Sequence, residues 1–452
     1  MYRETSSNLF QFIEKCPTAC HTSNTVSALL KEAGFTQLSE SEPWALKPGG
    51  RFYITRGMSA LIAFQLPMTD YTSFLITAAH GDSPGFKVKE NPRIISDKLY
   101  ARLNTEVYGG IDLSLWMDRP LSVAGKVVVQ TEEGIAVKLI NIDRDLVMIP
   151  SLAVHMRHGQ DRKLSPAVDS IPLYGMEKSG FMSLIAETVN VDIDDILSHD
   201  LHLYCREKGT FYGENNEFIA SPRLDDLQCV FASLQAFLSS SNSAHVPVMA
   251  VLDSEEIGSM TKQGADSTFL SDVLHRIGIG CGKSSEEISV NIGSSVILSA
   301  DNGHAVHPNF PEKSDSGNCC HLNGGVVIKH SPRYATDTVS AAIVKFICDM
   351  AGVPTQTYYN RSDIPGGSTL GNISGTHVSA HTADIGLAQL SMHSPYETAG
   401  AMDTEYMVKA MTMFYCSSIA IKDGGARFII NDNPKSANNS LWQDISSFSG
   451  QL

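Results

Sequence analysis

The stretch VPVMAVLDSEEIGSM, residues 246–260, joins an unbroken apolar run to two adjacent glutamates. Val246 to Leu252 has strand length and no polar alternation. That is the signature of a strand buried on both faces, as in a sheet covered by helices on either side. The run stops at Asp253, and Glu255 and Glu256 follow two and three residues on. Two carboxylates at the end of a buried strand repel each other and lose hydration, so the position calls for positive charge nearby.

Other apolar runs end the same way. SFLITAAH (73–80) ends in His80, with Asp82 two residues on. SSVILSA (294–300) is followed by Asp301, and IGLAQLSM (385–392) by His393. In open α/β sheets the carboxyl ends of strands form one rim where ligands bind. Two imidazoles and several carboxylates at such a rim suit a pair of zinc-, cobalt- or manganese-type ions. Within the pair of glutamates, Glu256 is read as facing metal and Glu255 as a general base beside the attacked carbonyl. Asp82 is read as the partner that fixes the His80 tautomer. A bridging carboxylate is expected from Asp225 or Asp226, at the start of a helix over 224–238.

Strand and helix patterns alternate on both sides of a turn-rich middle. A helix is expected over 22–34, neighbouring strands at 59–67 and 73–80, and helices at 339–351 and 403–420. KVVVQTEEGIAVKLINI (126–142) reads as a hairpin, and 207–221 as a further strand–loop–strand piece. These patterns predict an α/β fold, a central mixed sheet flanked by helices, built from 1–90 and 221–452. Residues 91–220 are expected to form an inserted, mainly-β domain. The polar end from Asp432 reads as frayed.

The chain has 452 residues, 42% hydrophobic and 18% charged, enough for a large core. A formal net charge of −15 argues against nucleic-acid and anionic-membrane partners. No run approaches the roughly 18 apolar residues of a membrane span. Nine cysteines without disulfide-like spacing, and a start lacking a signal-type apolar core, point to reduced thiols and a cytoplasmic location.

Six motifs then occur in order: HGDSPGFKVKENP, SPRLDDLQ, DSEEIGS, SADNGHAVHPN, GGVVIKH with RYATD, and LSMHSPYE. With CHTSN near the start, the chain resembles the aspartyl aminopeptidase family of dinuclear metallopeptidases over nearly its whole length. The resemblance implies a zinc-peptidase type sheet and two divalent ions per subunit, Zn²⁺ or else Mn²⁺ or Co²⁺. It implies His80, Asp225, Glu256, Asp301 and His393 as ligands, with Asp225 bridging. It implies removal of N-terminal Asp or Glu from short peptides, with Lys329, Tyr334 and His304 at the substrate side chain. It also implies His155, in IPSLAVHM, acting in a neighbouring subunit's site, so that the β domain makes dimers that assemble into a dodecamer. Asp226 and Asn302 depart from the family pattern. The first leaves the bridging carboxylate open, and the second is expected to alter the pocket wall. Two other activities remain open on the residues: the same centre acting on other N-terminal residues or N-acyl amino acids, and an idle cage-forming scaffold.

Overall fold

A computed structural model describes residues 2–156, 163–364, 366–367, 369–422 and 425–430. The polar segment from Asp432 lies outside them.

The largest sheet has nine strands, in the order Thr36–Leu38, Arg51–Arg56, Ala60–Gln65, His245–Leu252, Ser73–His80, Val296–Ala300, His381–Gly386, Val326–His330 and Thr355–Tyr359. The four strands from His245–Leu252 to His381–Gly386 run parallel. Antiparallel neighbours flank them, so the sheet is mixed. The two strands read as neighbours, Ala60–Gln65 and Ser73–His80, are separated by His245–Leu252. All three runs are equally apolar, and only long-range pairing decides which sits between the others.

Alternate residues of one strand serve two cores. Met249 and Val251 pack with helices Tyr2–Glu14, Ala19–Glu32, Leu224–Ser239, Thr338–Met350 and Asp403–Cys416. Val248, Ala250 and Leu252 pack with helix Phe269–Gly280 on the other face. Burial on both faces is why these strands carry no polar alternation.

A second sheet takes seven strands from the stretch between Gly85 and Cys205. Strand Ile196–Cys205 pairs with both Gly85–Ser96 and Pro120–Thr131, which closes the sheet on itself. Its core includes Phe86, Leu121, Val123 and Leu201, with Phe181 and Ile185 of helix Phe181–Val189. The expected hairpin is present as Pro120–Thr131 with Gly134–Asn141.

Strands Thr210–Tyr212 and Phe218–Ser221, read with the middle segment, join a third sheet instead. Its other members are Glu397–Gly400, Ala388–Leu390 and Gly303–His304. The run before His393 is thus two strands, His381–Gly386 in the central sheet and Ala388–Leu390 in this one. The expected helix over 403–420 stops at Cys416, and Ser417–Lys422 continues as a strand. Among the described residues, no helix is long and apolar enough to cross a membrane.

Candidate metal centre

Leu252 stands in register with His80 across the parallel pair, and Ala300 ends the next strand of the same rim. This register brings the loops after three strands together. His80 is 1% exposed. Its Nδ1 lies 3.0 Å from the Asp82 backbone carbonyl and 3.4 Å from Asp82 Oδ1, so the tautomer is set by the carbonyl as well as the expected carboxylate. The Asp82 carboxylate also accepts the Glu255 and Glu256 backbone N–H groups, each at 3.2 Å. One buried carboxylate therefore clips the His80 loop to the glutamate turn Glu255–Ile257.

Asp225 lies where the first turn of helix Leu224–Ser239 departs from helical angles, and its peptide bond to Asp226 is cis. Its Oδ1 lies 3.3 Å from His80 Nε2 and its Oδ2 3.5 Å from His393 Nε2. His393 Nε2 is also 3.4 Å from Glu256 Oε2. Asp226 makes a different contact: its Oδ2 accepts the His80 backbone N–H at 3.3 Å. Asp301, with Oδ2 3.3 Å from Lys329 Nζ, groups with His80 and Asp225. Asp225, Glu256 and His393 form a second group that shares Asp225.

These distances test the fit of a metal pair. Two donors, each about 2.0–2.2 Å from one ion at the tetrahedral angle, stand about 3.4 Å apart. The three imidazole–carboxylate separations match that figure. Asp225 Oδ1 and Glu256 Oε1 are buried without a hydrogen-bond partner, which is costly for a carboxylate unless a cation takes the position. The donor set fits zinc-type ions.

The electrostatics agree. Burial, together with the charges of Asp301, Asp82 and Asp225, raises the Glu255 carboxyl to about 7. Burial and Asp225 push Glu256 well above the usual carboxylate range. Burial opposes charging of His80 and His393, yet the carboxylates win and raise both, His393 to about 10. A site that draws protons onto its imidazoles in this way is short of positive charge.

The rim opens on a cavity of about 560 Å³, bordered by Glu255, Asp301, His304, Lys329, Tyr334 and His393. Lys329 is 2% exposed in strand Val326–His330. Its Nζ donates to the Asn302 carbonyl at 2.8 Å and lies 5.8 Å from the Tyr334 ring centre. Burial opposes the charge, but Asp301, Tyr334, Asp384 and Asp225 together outweigh it and keep the ammonium charged. Asn302 borders the cavity, and its buried side-chain amide nitrogen shares its two hydrogens among Leu224 O, Gln228 Oε1 and Gln389 Oε1. His155 is exposed in the turn Val154–Met156 and does not border this cavity.

Sequence reasoning missed Glu397. It is 2% exposed, and its two oxygens accept the backbone N–H groups of Asp225 at 3.0 Å and His393 at 2.8 Å. The signal was present four residues after His393, at the end of LSMHSPYE, but a glutamate after a tyrosine reads as surface. Tyr108, whose hydroxyl donates to Asp82 Oδ2 at 2.8 Å, was missed within the turn-rich middle.

The profile of the aminopeptidase I zinc metalloprotease (M18) family matches residues 12–415. A protein of Clostridium acetobutylicum described as a probable M18 family aminopeptidase 2 is 42% identical over 426 residues, spanning 91% of this chain and 98% of that one. The cryo-EM structure of the Ape4 and Nbr1 complex contains a chain that superposes with a TM-score of 0.88 at 32% identity, covering 92% of this chain and 86% of its own. The S. cerevisiae mApe1 dodecamer superposes at 0.81 with 25% identity, over 100% of both chains.

Proposed function

Because the chain belongs to the M18 family of aminopeptidase I zinc metalloproteases, and is thus a metallo-aminopeptidase, we propose that it removes Asp or Glu from the N-termini of short peptides at a two-metal centre. His80, Asp225 and Asp301 would hold one ion. Asp225, Glu256 and His393 would hold the other, with Asp225 shared. The observation that carries this reading is the disposition of Asp225: each oxygen faces a different imidazole at ligand–ligand distance. When bound, such cations polarise the scissile carbonyl and lower the proton affinity of water.

The protein's own groups do the rest. Glu255 takes the proton from the attacking water and delivers it to the leaving amide nitrogen. Glu255 borders the cavity where the scissile bond would lie, as a group that exchanges a proton with both water and leaving nitrogen must. Asp82 holds the Glu255 and Glu256 backbone in place during this exchange. Lys329 spends donors on Asn302 O and Asp301, and a third ammonium proton remains for an acidic substrate side chain.

His155 would reach the site of a second copy and stabilise the oxyanion there. The exposed apolar side chains of Leu152, Val154 and Met156 around it support a covered turn. The mApe1 relative is a dodecamer, and we extend dimers assembling into a dodecamer to this chain.

One observation favours a second reading of specificity. The Lys329 ammonium is already paired with Asp301, so it could serve the centre alone, with neutral N-terminal residues accepted. Turnover of Asp-, Glu-, Ala- and Leu-anilides beside N-acetyl amino acids, with metal content by mass spectrometry, tests both. The proposal expects about two ions per chain and a preference for acidic anilides. Equal rates on Leu-anilide would remove the acidic preference, and a metal-free inactive chain would remove the enzyme reading of the site.

A further inference from the structure

Two supports of the metal centre end on one short segment of the seven-stranded sheet. Strand Tyr100–Tyr108 finishes at Tyr108, which donates to Asp82. Two residues on, the Gly110 carbonyl accepts from His393 Nδ1 at 2.6 Å. Between them Gly109 sits at φ +74°, and a Cβ there would lie 3.2 Å from Glu256 Cβ and 3.1 Å from Pro84 Cβ.

We propose that Tyr108, Gly109 and Gly110 are positioning residues of the metal centre, so that a sheet supplying none of the five ligands sets the geometry of three of them. This rests on the ligand reading above. The dependence is greatest at His393. Its side chain is 34% exposed, against 1% for His80. Packing and Asp82 together hold the His80 ring; the more exposed His393 ring depends on its bond to Gly110, which fixes both its direction and the tautomer that leaves Nε2 free to ligate. Tyr108 acts one step further away. It holds the carboxylate that orients His80 and receives the Glu255 and Glu256 amides. Gly109 allows the chain to pass against Glu256 at an angle that residues with a Cβ rarely adopt.

If docking of 108–110 raises metal affinity, metal binding tightens that docking by the same factor.

The experiment measures Zn²⁺ affinity of the full chain by chelator competition, and amide hydrogen exchange over 104–110 with and without Zn²⁺. Tyr108→Phe keeps the ring and removes the bond to Asp82. Gly109→Ala pushes against Glu256 and Pro84. Each is expected to weaken Zn²⁺ binding about 10–100-fold and to alter the visible spectrum of the Co²⁺-loaded protein. In the unmodified chain Zn²⁺ should slow exchange at 109–110, and this slowing should shrink in Tyr108→Phe. Tyr204→Phe, which loses a hydroxyl bond to Asn141 in the same sheet, should bind Zn²⁺ within about twofold of the unmodified chain. If Gly109→Ala does not fold, Tyr108→Phe decides alone. Zn²⁺ affinity, spectrum and exchange unchanged in Tyr108→Phe, while His393→Ala and Glu256→Gln lose Zn²⁺, would overturn the proposal and leave the ligand set standing. Zn²⁺ retained in His393→Ala and Glu256→Gln would overturn the ligand set, and this proposal with it.

Discussion

At Asp225 two carboxylate oxygens face two imidazoles, and the backbone N–H of the same residue is held by Glu397. Nearby Glu255 borders the cavity while Glu256 faces His393. The two carboxylates converge on His80 yet have different further neighbours, which is how adjacent residues can take different tasks. Glu255→Gln should therefore keep its Zn²⁺ and lose about 10²–10⁴-fold in kcat; comparing metal content with turnover checks it, and retained activity would take the proton-transfer role from Glu255. Glu397→Gln leaves one acceptor oxygen and sets an NH₂ against an N–H. Zn²⁺ affinity should fall about tenfold, read by chelator competition. Lys329→Leu should lower kcat/KM on Asp- and Glu-anilides more than on Leu-anilide. Because it also strips Asp301 of its partner, metal content must be measured alongside. His80, Asp301 and the glutamate pair stood out as candidates because each lies at the end of an apolar run or within four residues past it. Glu397 and Tyr108 were not, since nothing local distinguishes a buried acceptor of two backbone amides from a surface glutamate.

Among the elements, the long apolar runs were readable and their neighbours were not. Strand His245–Leu252 begins at a histidine that burial holds near 4. Its Nδ1 lies 2.7 Å from Ser73 Oγ, and its Nε2 accepts the Ile419 N–H at 3.1 Å. The imidazole thus ties two parallel strands to the hairpin Ser417–Lys422 with Gly425–Ile430 in its neutral form. The folded chain resists protonation here, whereas the unfolded chain takes up a proton below about 6.5. The stability due to this histidine is therefore full above about pH 6.5 and declines as pH falls toward 4. Urea unfolding at pH 7.5 should find His245→Gln clearly less stable than the unmodified chain, and at pH 4.5 the gap should narrow. A gap that stays constant or widens would contradict the assignment. The strand order around His245–Leu252 escaped the sequence because equally apolar runs carry no record of their partners. The split of 385–392 between two sheets escaped it for a related reason. At Leu387 the chain leaves the strand pairing, and that residue is as buried as its neighbours.

For the whole molecule, the proposed trans role of His155 makes a test that single chains cannot pass. His155→Ala and Glu255→Gln should each be nearly inactive. Dissociating the two proteins and reassembling them together should recover activity, because a mixed dimer can join an intact Glu255 to an intact His155 from its partner. Absence of recovery, with mixed assemblies demonstrated, would place His155 outside the reaction. By itself the sequence determined the class of the fold, the rim of histidines and carboxylates, and the kinship carried by six ordered motifs. These are local matters: unbroken hydrophobicity marks a strand buried on both faces, and a charged residue just past it marks the rim. Only the tertiary structure decided which carboxylate sits between the two imidazoles, which buried groups bond to His80, Asp225 and His393, and that the end of a second sheet meets them. Those outcomes depend on residues tens to hundreds of positions apart meeting within a few ångströms, and hydrogen bonds over such separations leave no pattern in the chain.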